Sequence, residues 1–241
     1  VSLSLLKERN ILLIGQIEGG VHVSDLNENK ELKYLKIHKG YIFDIQFIEE
    51  KNEVVFSSGD GTISIWSIPE FNLLFQTTVG EGKNRKLAYS AAREELAVAS
   101  SDSFVQVFDT KDWSKKYTVT DLESGANSVV YTDSNLLIGT KNAHLHEYDL
   151  TTATKRDGIP AHNWAVYDLT YHAEYNVIAS ASRDKTVKFW NPEKLNVLKR
   201  LEGFKDKAHT HSVNTLLWTK YENLLITAGD DKMIRVWECV L

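Results

Sequence analysis

Apolar residues in this chain fall in short alternating runs that end near an aromatic residue. Five runs are plain, SGDGTISIW, SSDSFVQVF, KNAHLHEY, SRDKTVKFW and GDDKMIRVW, and a degenerate one, IEGGVHVSD, precedes them. Their aligned closing positions are Ser24, Trp66, Phe108, Tyr148, Trp190 and Trp237, so the pattern recurs at intervals of 42, 42, 40, 42 and 47 residues. In each run two apolar positions flank a polar one. The apolar pairs are Val21 and Val23, Ile63 and Ile65, Val105 and Val107, Val187 and Phe189, and Ile234 and Val236, with Leu145 and Glu147 in the fourth copy. The polar row between them is His22, Ser64, Gln106, His146, Lys188 and Arg235. Alternation of period two puts these sets on opposite faces of a strand. A repeat of about 40–45 residues built from short strands predicts a radial array of antiparallel sheets, an all-β fold.

The fifth copy shows how one repeat is divided. Ala165 to Tyr171, Val177 to Ser182, Thr186 to Trp190 and Val197 to Leu201 read as four strands joined by short turns, an antiparallel meander. The other copies parse alike, which predicts one domain of six repeats at about residues 1–37, 38–79, 80–120, 121–160, 161–203 and 204–241. The 47-residue interval comes from about five extra residues near Phe204 to Ala208, read as an enlarged loop. The last copy holds three strands before the sequence ends, and the sequence opens at Val1 inside a strand, Val1 to Leu6. The expectation is a last repeat without its outer strand, in either a parent of seven repeats whose first is missing, the preferred reading, or a ring of six with an imperfect seam. Edges near Val1 and Trp237 are then open to self-association.

Three copies carry a fuller signature. His38, Asp60 and Trp66 are spaced like His162, Asp184 and Trp190 and like His209, Asp231 and Trp237. Apolar residues stand four, seven and nine places after each His: Ile42, Ile45 and Phe47; Val166, Leu169 and Tyr171; Val213, Leu216 and Trp218. On these residues the whole chain resembles the WD-repeat β-propeller family. The resemblance implies four-stranded blades in which Trp, a Ser or Thr hydroxyl, His and Asp form a hydrogen-bonded tetrad. Ser180 and Thr227, four places before their Asp, are the implied hydroxyls. In copies one to four a small residue, Gly15, Ser57, Ala99 or Gly139, stands only three places before the turn acid or its equivalent. That predicts turns one residue shorter there. The tetrads expected are then His38, Ser57, Asp60 and Trp66; His162, Ser180, Asp184 and Trp190; and His209, Thr227, Asp231 and Trp237. Those of copies one, three and four are expected to be incomplete.

The resemblance also implies a non-catalytic protein–protein interaction scaffold whose partner surface lies at the loops opening each repeat. Its exposed positions, three and five after His and one before Asp, map to Tyr41, Phe43 and Gly59, to Ala165, Tyr167 and Arg183, and to Ser212, Asn214 and Asp230. Counting from the strands adds Lys83, Arg85 and Ser101, then Gly125, Asn127 and Lys141. The expected partner-binding residues are Tyr41, Phe43, Lys83, Arg85, Lys141, Tyr167, Arg183 and Asp230. Aromatic and cationic anchors in a chain of net charge −5 suit an acidic or phosphorylated peptide. A small-ligand or carbohydrate binder stacking on Tyr41, Phe43 and Tyr167 is the alternative reading, and an enzyme at the channel mouth is a weaker one.

The acidic balance supplies no chain-wide attraction to nucleic acid. No apolar run is long enough to span a bilayer, so no membrane partner is expected. Cys239 is the only cysteine, which excludes an internal disulfide and fits a cytoplasmic setting. His144 and His146, and His209 and His211, alternate as metal pairs could, but His146 falls in the polar row filled elsewhere by His22, Ser64, Gln106, Lys188 and Arg235, and His209 is assigned to the turn network with no Cys or carboxylate cluster in register, so no metal or cofactor is expected. The His–Asp–Ser/Thr sets recur in three copies, whereas an active site is needed once, so no catalytic residue is assigned. Glu49-Glu50 and Glu94-Glu95 read as solvated turn residues.

Overall fold

The structure is a computed structural model that describes residues 2–219 and 223–239; Val1 lies outside the described residues. Strands form where the period-two runs fall, and they group into two compact units, Val1–Thr120 and Asp121–Leu241.

Unit one holds three four-stranded antiparallel sheets, each with its strands in chain order. Blade one is Ser2–Leu6, Ile11–Gly15, Gly20–Asp25 and Lys30–Lys36. Blade two is Ile42–Ile48, Glu53–Ser58, Thr62–Ser67 and Leu73–Thr78. Blade three is Asn84–Ser90, Glu95–Ser100, Phe104–Asp109 and Lys115–Val119. Unit two holds three more. Blade four is Ala126–Tyr131, Asn135–Thr140 and His144–Asp149, with its outer edge split between Thr154–Lys155 and Ile159–Pro160. Blade five is Val166–His172, Val177–Ser182, Val187–Trp190 and Val197–Leu201. Blade six shows Val213–Trp218, Leu225–Gly229 and Ile234–Trp237 among the described residues. No helix among them is long and apolar enough to cross a membrane.

The turn between second and third strands has the same length in all six blades. Gly15 pairs with Val21, Ser57 with Ile63, Ala99 with Val105, Gly139 with Leu145, Ala181 with Val187 and Ala228 with Ile234. Every pair stands three residues either side of the turn's acid or its equivalent, and the residue after that acid always has positive φ: Gly19, Gly61, Ser103, Ala143, Lys185 and Lys232. The expectation of shorter turns in copies one to four is therefore corrected. A small residue three places before the acid is common to all six blades; what varies is the residue four places before it, Ser180 and Thr227 in blades five and six but Phe56 in blade two. Close packing keeps the former small. A Cβ on Gly15 would stand 2.6 Å from Ile42, and one on Gly139 2.6 Å from Val166, the opening residues of the next blade.

The blades bury their alternating apolar rows against one another within each unit. Ile63 and Ile65 of blade two pack with Leu87, Leu96 and Val98 of blade three. Val187 and Phe189 of blade five pack with Val213, Leu216 and Leu225 of blade six. In blade six the equivalent third-strand residues, Ile234 and Val236, are exposed, as is Leu217 beside them. Glu49 and Glu50 are exposed, but Glu95 is not the solvated residue expected. It is buried, with ion pairs to Arg93 at 3.1 Å and Lys116 at 2.9 Å and a hydrogen bond from Tyr117 at 3.0 Å, so its desolvation is offset by cations from the same sheet.

Candidate functional site

Two kinds of constellation sit at the turns before the third strands: buried relays that hold the loops, and aromatic–cation pairs beside them, half-buried at Phe43 and Arg85 and exposed at Trp164 and Arg183. In blade five the relay is a directed chain. Trp190 Nε1–H donates to Ser180 Oγ at 2.8 Å, Ser180 stands 2.7 Å from His162 Nε2, and His162 Nδ1 stands 3.0 Å from Asp184. Burial favours the neutral imidazole, and with its proton on Nδ1 toward the carboxylate, Nε2 accepts from the hydroxyl. Burial pushes the His162 pKa down, only partly countered by Asp184. Burial alone would raise the Asp184 carboxyl, but hydrogen bonds from His162, Thr186 and the Asn163 N–H outweigh it and hold the group well below the usual carboxylate range. In blade six Trp237, Thr227, His209 and Asp231 repeat the chain at 3.0, 2.8 and 2.8 Å.

Blade two solves the same problem differently. His38 Nδ1 lies 3.2 Å from Asp60, and burial lowers the His38 pKa. The hydroxyl between His38 and Trp66, however, is Ser64, at 2.8 Å from His38 Nε2 and 2.9 Å from Trp66 Nε1. Ser57, the expected member, reaches the Asp44 carbonyl at 3.5 Å instead. The cross-strand register explains the substitution. Phe56 occupies the place of Ser180, and its partner across the ladder is Ser64, so the hydroxyl comes from the third strand rather than the second. Ser64 belongs to the polar row visible in the sequence, which was the available signal.

The same row explains an imperfect site in blade four. His146 is buried, and neither ring nitrogen has a hydrogen-bond partner among the described residues. Burial, then Lys155 and His144, keep its pKa low. At the corresponding place in blade three, Gln106 Nε2 donates to the Val107 and Tyr117 carbonyls. His146→Gln is therefore expected to stabilise the chain by about 1 kcal/mol, the net value of one satisfied hydrogen bond. Urea unfolding at neutral pH checks this, and a lower midpoint would show that the imidazole is already satisfied.

The expected partner residues separate into clusters. In unit one Tyr41 and Phe43 stack with centroids 5.7 Å apart at 16°, and the Arg85 guanidinium lies 4.7 Å from the Phe43 centroid. Gly59 lies under this stack, where a Cβ would stand 3.1 Å from Phe43. Lys83 is exposed, its backbone N–H tied to Ser101 at 2.7 Å. In unit two the Arg183 guanidinium lies 5.1 Å from the ring of Trp164, which is exposed. Trp164, two places after His162, was not among the expected residues; an aromatic in a repeat-opening loop was its only signal. Ala165, expected on the exposed face, is buried. Lys141 is exposed and Tyr167 half-buried, and Asp230 accepts from Asn214 at 2.6 Å. Among the described residues no group of three or more His, Cys, Asp or Glu could hold a metal ion. Burial pushes the Cys239 thiol up.

The family model of the WD domain, G-beta repeat, matches residues 29–67, 154–191 and 200–238, the segments that contain the three His–Asp–Trp sets. The chain belongs to the WD-repeat β-propeller family. This WD-repeat chain is similar in sequence to a WD repeat-containing protein of Dictyostelium discoideum, 27% identical over 209 residues, 80% of this chain and 11% of that protein. Apoptotic protease-activating factor 1 of Rattus norvegicus is 25% identical over 76% of this chain and 14% of its own length. Eukaryotic translation initiation factor 3 subunit I of Brugia malayi is 22% identical over 83% of this chain and 63% of its own length. The chain thus spans less than two thirds of each of these relatives. The structure of a computationally designed protein shares the fold, with a TM-score of 0.79 at 21% identity over 99% of this chain and 70% of the other.

Proposed function

We propose that this WD-repeat chain is a non-catalytic scaffold that binds an acidic or phosphorylated peptide segment of a partner protein through the loops that open its repeats. The observation that carries the reading is the Tyr41–Phe43–Arg85 stack, a cation held against an aromatic pair at the loop end of blades two and three. Phe43 carries the guanidinium over its ring, and Arg held against an aromatic suits bidentate contact with carboxylate or phosphate. Trp164 and Arg183 repeat the pairing in unit two. The His–Asp pairs support a non-catalytic role, because each imidazole is buried and committed to a relay. A cytoplasmic setting goes with the lone Cys239 and with relatives named as subunits of a translation initiation factor.

Fluorescence anisotropy with a degenerate phosphoserine peptide library and its unphosphorylated acidic counterpart tests the proposal. Arg85→Glu and Lys83→Glu together are expected to weaken the preferred pool at least 10-fold, and Tyr41→Ala by about 10-fold, as for interface hot spots. Affinity unchanged in these variants would remove the proposed face.

A further inference from the structure

The enlarged loop before the last repeat borders a cleft of about 560 Å³ inside unit two. Elsewhere the crossing from an outer strand to the next His is short: blade one ends at Lys36 before His38, and blade four at Pro160 before His162. Blade five ends at Leu201 and reaches His209 only after seven intervening residues, so the connection is longer than the fold requires. The extra segment is closed by its own bonds. Ala208 N–H donates to the Gly203 carbonyl at 2.9 Å, Lys207 N–H to the Phe204 carbonyl at 3.1 Å and Glu202 N–H to Asp206 at 3.0 Å. This closed loop holds Phe204 at 96% exposure on the lip of the cleft.

The cleft is also cationic. Lys185, Arg200, Lys207 and Arg235 line it against Asp184 and Glu202. Both acids are committed, Asp184 to His162 and Thr186, and Glu202 to Arg200 at 2.6 Å. Asp206 and Asp231 nearby are likewise engaged, with the Glu202 N–H and with His209. Arg235 is held by Asp231 at 3.2 Å and the Lys207 carbonyl at 2.8 Å. Neither Lys185 nor Lys207 has an ion-pair partner among the described residues. What remains for a ligand is two ammonium groups beside an uncovered aromatic ring, in a volume that suits a few residues of peptide.

We propose that this cleft is a second binding site, for a short acidic peptide segment whose carboxylates meet Lys185 and Lys207 and whose apolar side chain covers Phe204. The site shares the turn 183–186 with the Arg183–Trp164 pair but no lining residue with it, and it does not rest on the reading given for the repeat-opening loops. The test is selection of random 12-residue peptides displayed on phage against the full chain, followed by anisotropy titration of the enriched peptides. Enrichment in Asp and Glu around a large apolar residue is expected. Phe204→Ala is expected to weaken those peptides about 30-fold and Lys185→Glu with Lys207→Glu about 100-fold, whereas Arg183→Glu with Trp164→Ala leaves them unchanged. Phe204, Lys185 and Lys207 are exposed, so these variants keep the fold, which circular dichroism confirms. Enriched peptides without acidic bias, or acidic peptides indifferent to both sets of cleft variants, would overturn the site. So would tight binding of heparin or an RNA oligonucleotide that survives Phe204→Ala while acidic peptides fail to bind, because the cleft would then be a general polyanion surface.

Discussion

Replacing His162 by alanine is expected to cost about 3–4 kcal/mol of unfolding free energy, the scale for truncating a fully buried ring and leaving its hydrogen-bond partners unpaired. The side chain is fully buried, so its loss leaves a void, a Ser180 hydroxyl without its acceptor and an Asp184 carboxylate, itself only 4% exposed, without its main donor. Trp190→Phe removes one donor from the same relay and is expected to cost only about 1 kcal/mol. His38→Ala falls between them. Its ring is equally buried, but Asp60 is 18% exposed and water can replace part of what it loses. Urea unfolding of the three variants checks the order, and equal losses for His162→Ala and Trp190→Phe would overturn this bond-by-bond ranking. The pH dependence has a definite sign. His162 titrates lower in the fold than its ordinary 6.5, so below that value the unfolded chain takes up a proton that the folded chain resists, and stability falls with pH. Asp184 is also depressed, so its contribution, complete above 3.8, is lost as pH falls further. Both groups act in the same direction, and His162→Ala is expected to flatten the decline that begins near pH 6.5.

Asp168→Ala is expected to be nearly as damaging, at about 3 kcal/mol, with Asp168→Asn near half of that because hydrogen bonds to a charged group contribute about 1.5–3 kcal/mol. Asp168 is buried on the first strand of blade five. It accepts from the Leu216 N–H at 2.9 Å and the Thr215 hydroxyl at 3.0 Å, both on the first strand of blade six, and from the Leu169 N–H at 3.0 Å. The carboxylate thus clips one blade to the next. Asp44, six places after His38 as Asp168 is after His162, does the same in unit one by accepting from the Leu87 N–H at 2.9 Å. Its side chain is 20% exposed with Lys86 at 3.8 Å, so Asp44→Ala is expected to cost less. Hydrogen exchange localises the effect: the Leu216 amide loses protection in Asp168→Ala if the clip is real, and retained protection argues that the blades are held by apolar packing alone.

Much of this was written in the linear pattern, for a physical reason. A strand's faces alternate with period two, so strand positions could be read by counting, and the relays of blades five and six followed from the family resemblance carried by their His–Asp–Trp spacing. What escaped counting depends on neighbours across a ladder or in the next repeat. The hydroxyl of blade two sits opposite Phe56, not beside the expected Ser57. The ligands of Asp44 and Asp168 lie 43 and 48 residues away. Glu95 looked solvated because the side chains that bury it, Lys116 and Tyr117, belong to the outer strand. In the proposed partner face, Tyr41 and Phe43 followed from the family resemblance, but the pairing of Arg183 with Trp164 arises between two loops whose separation no local spacing encodes.

The relay hydroxyl stands four residues before the turn acid in blade five and four residues after it in blade two, at places facing each other across one ladder. The two positions are interchangeable suppliers of a single proton to one nitrogen. A repeat carrying a hydroxyl at both holds a spare, and either can then be exchanged for an apolar residue while the imidazole stays satisfied. Redundancy of this kind gives the repeat a downhill-free route between two sequence solutions, which is how neighbouring blades come to share a shape while losing resemblance in their letters.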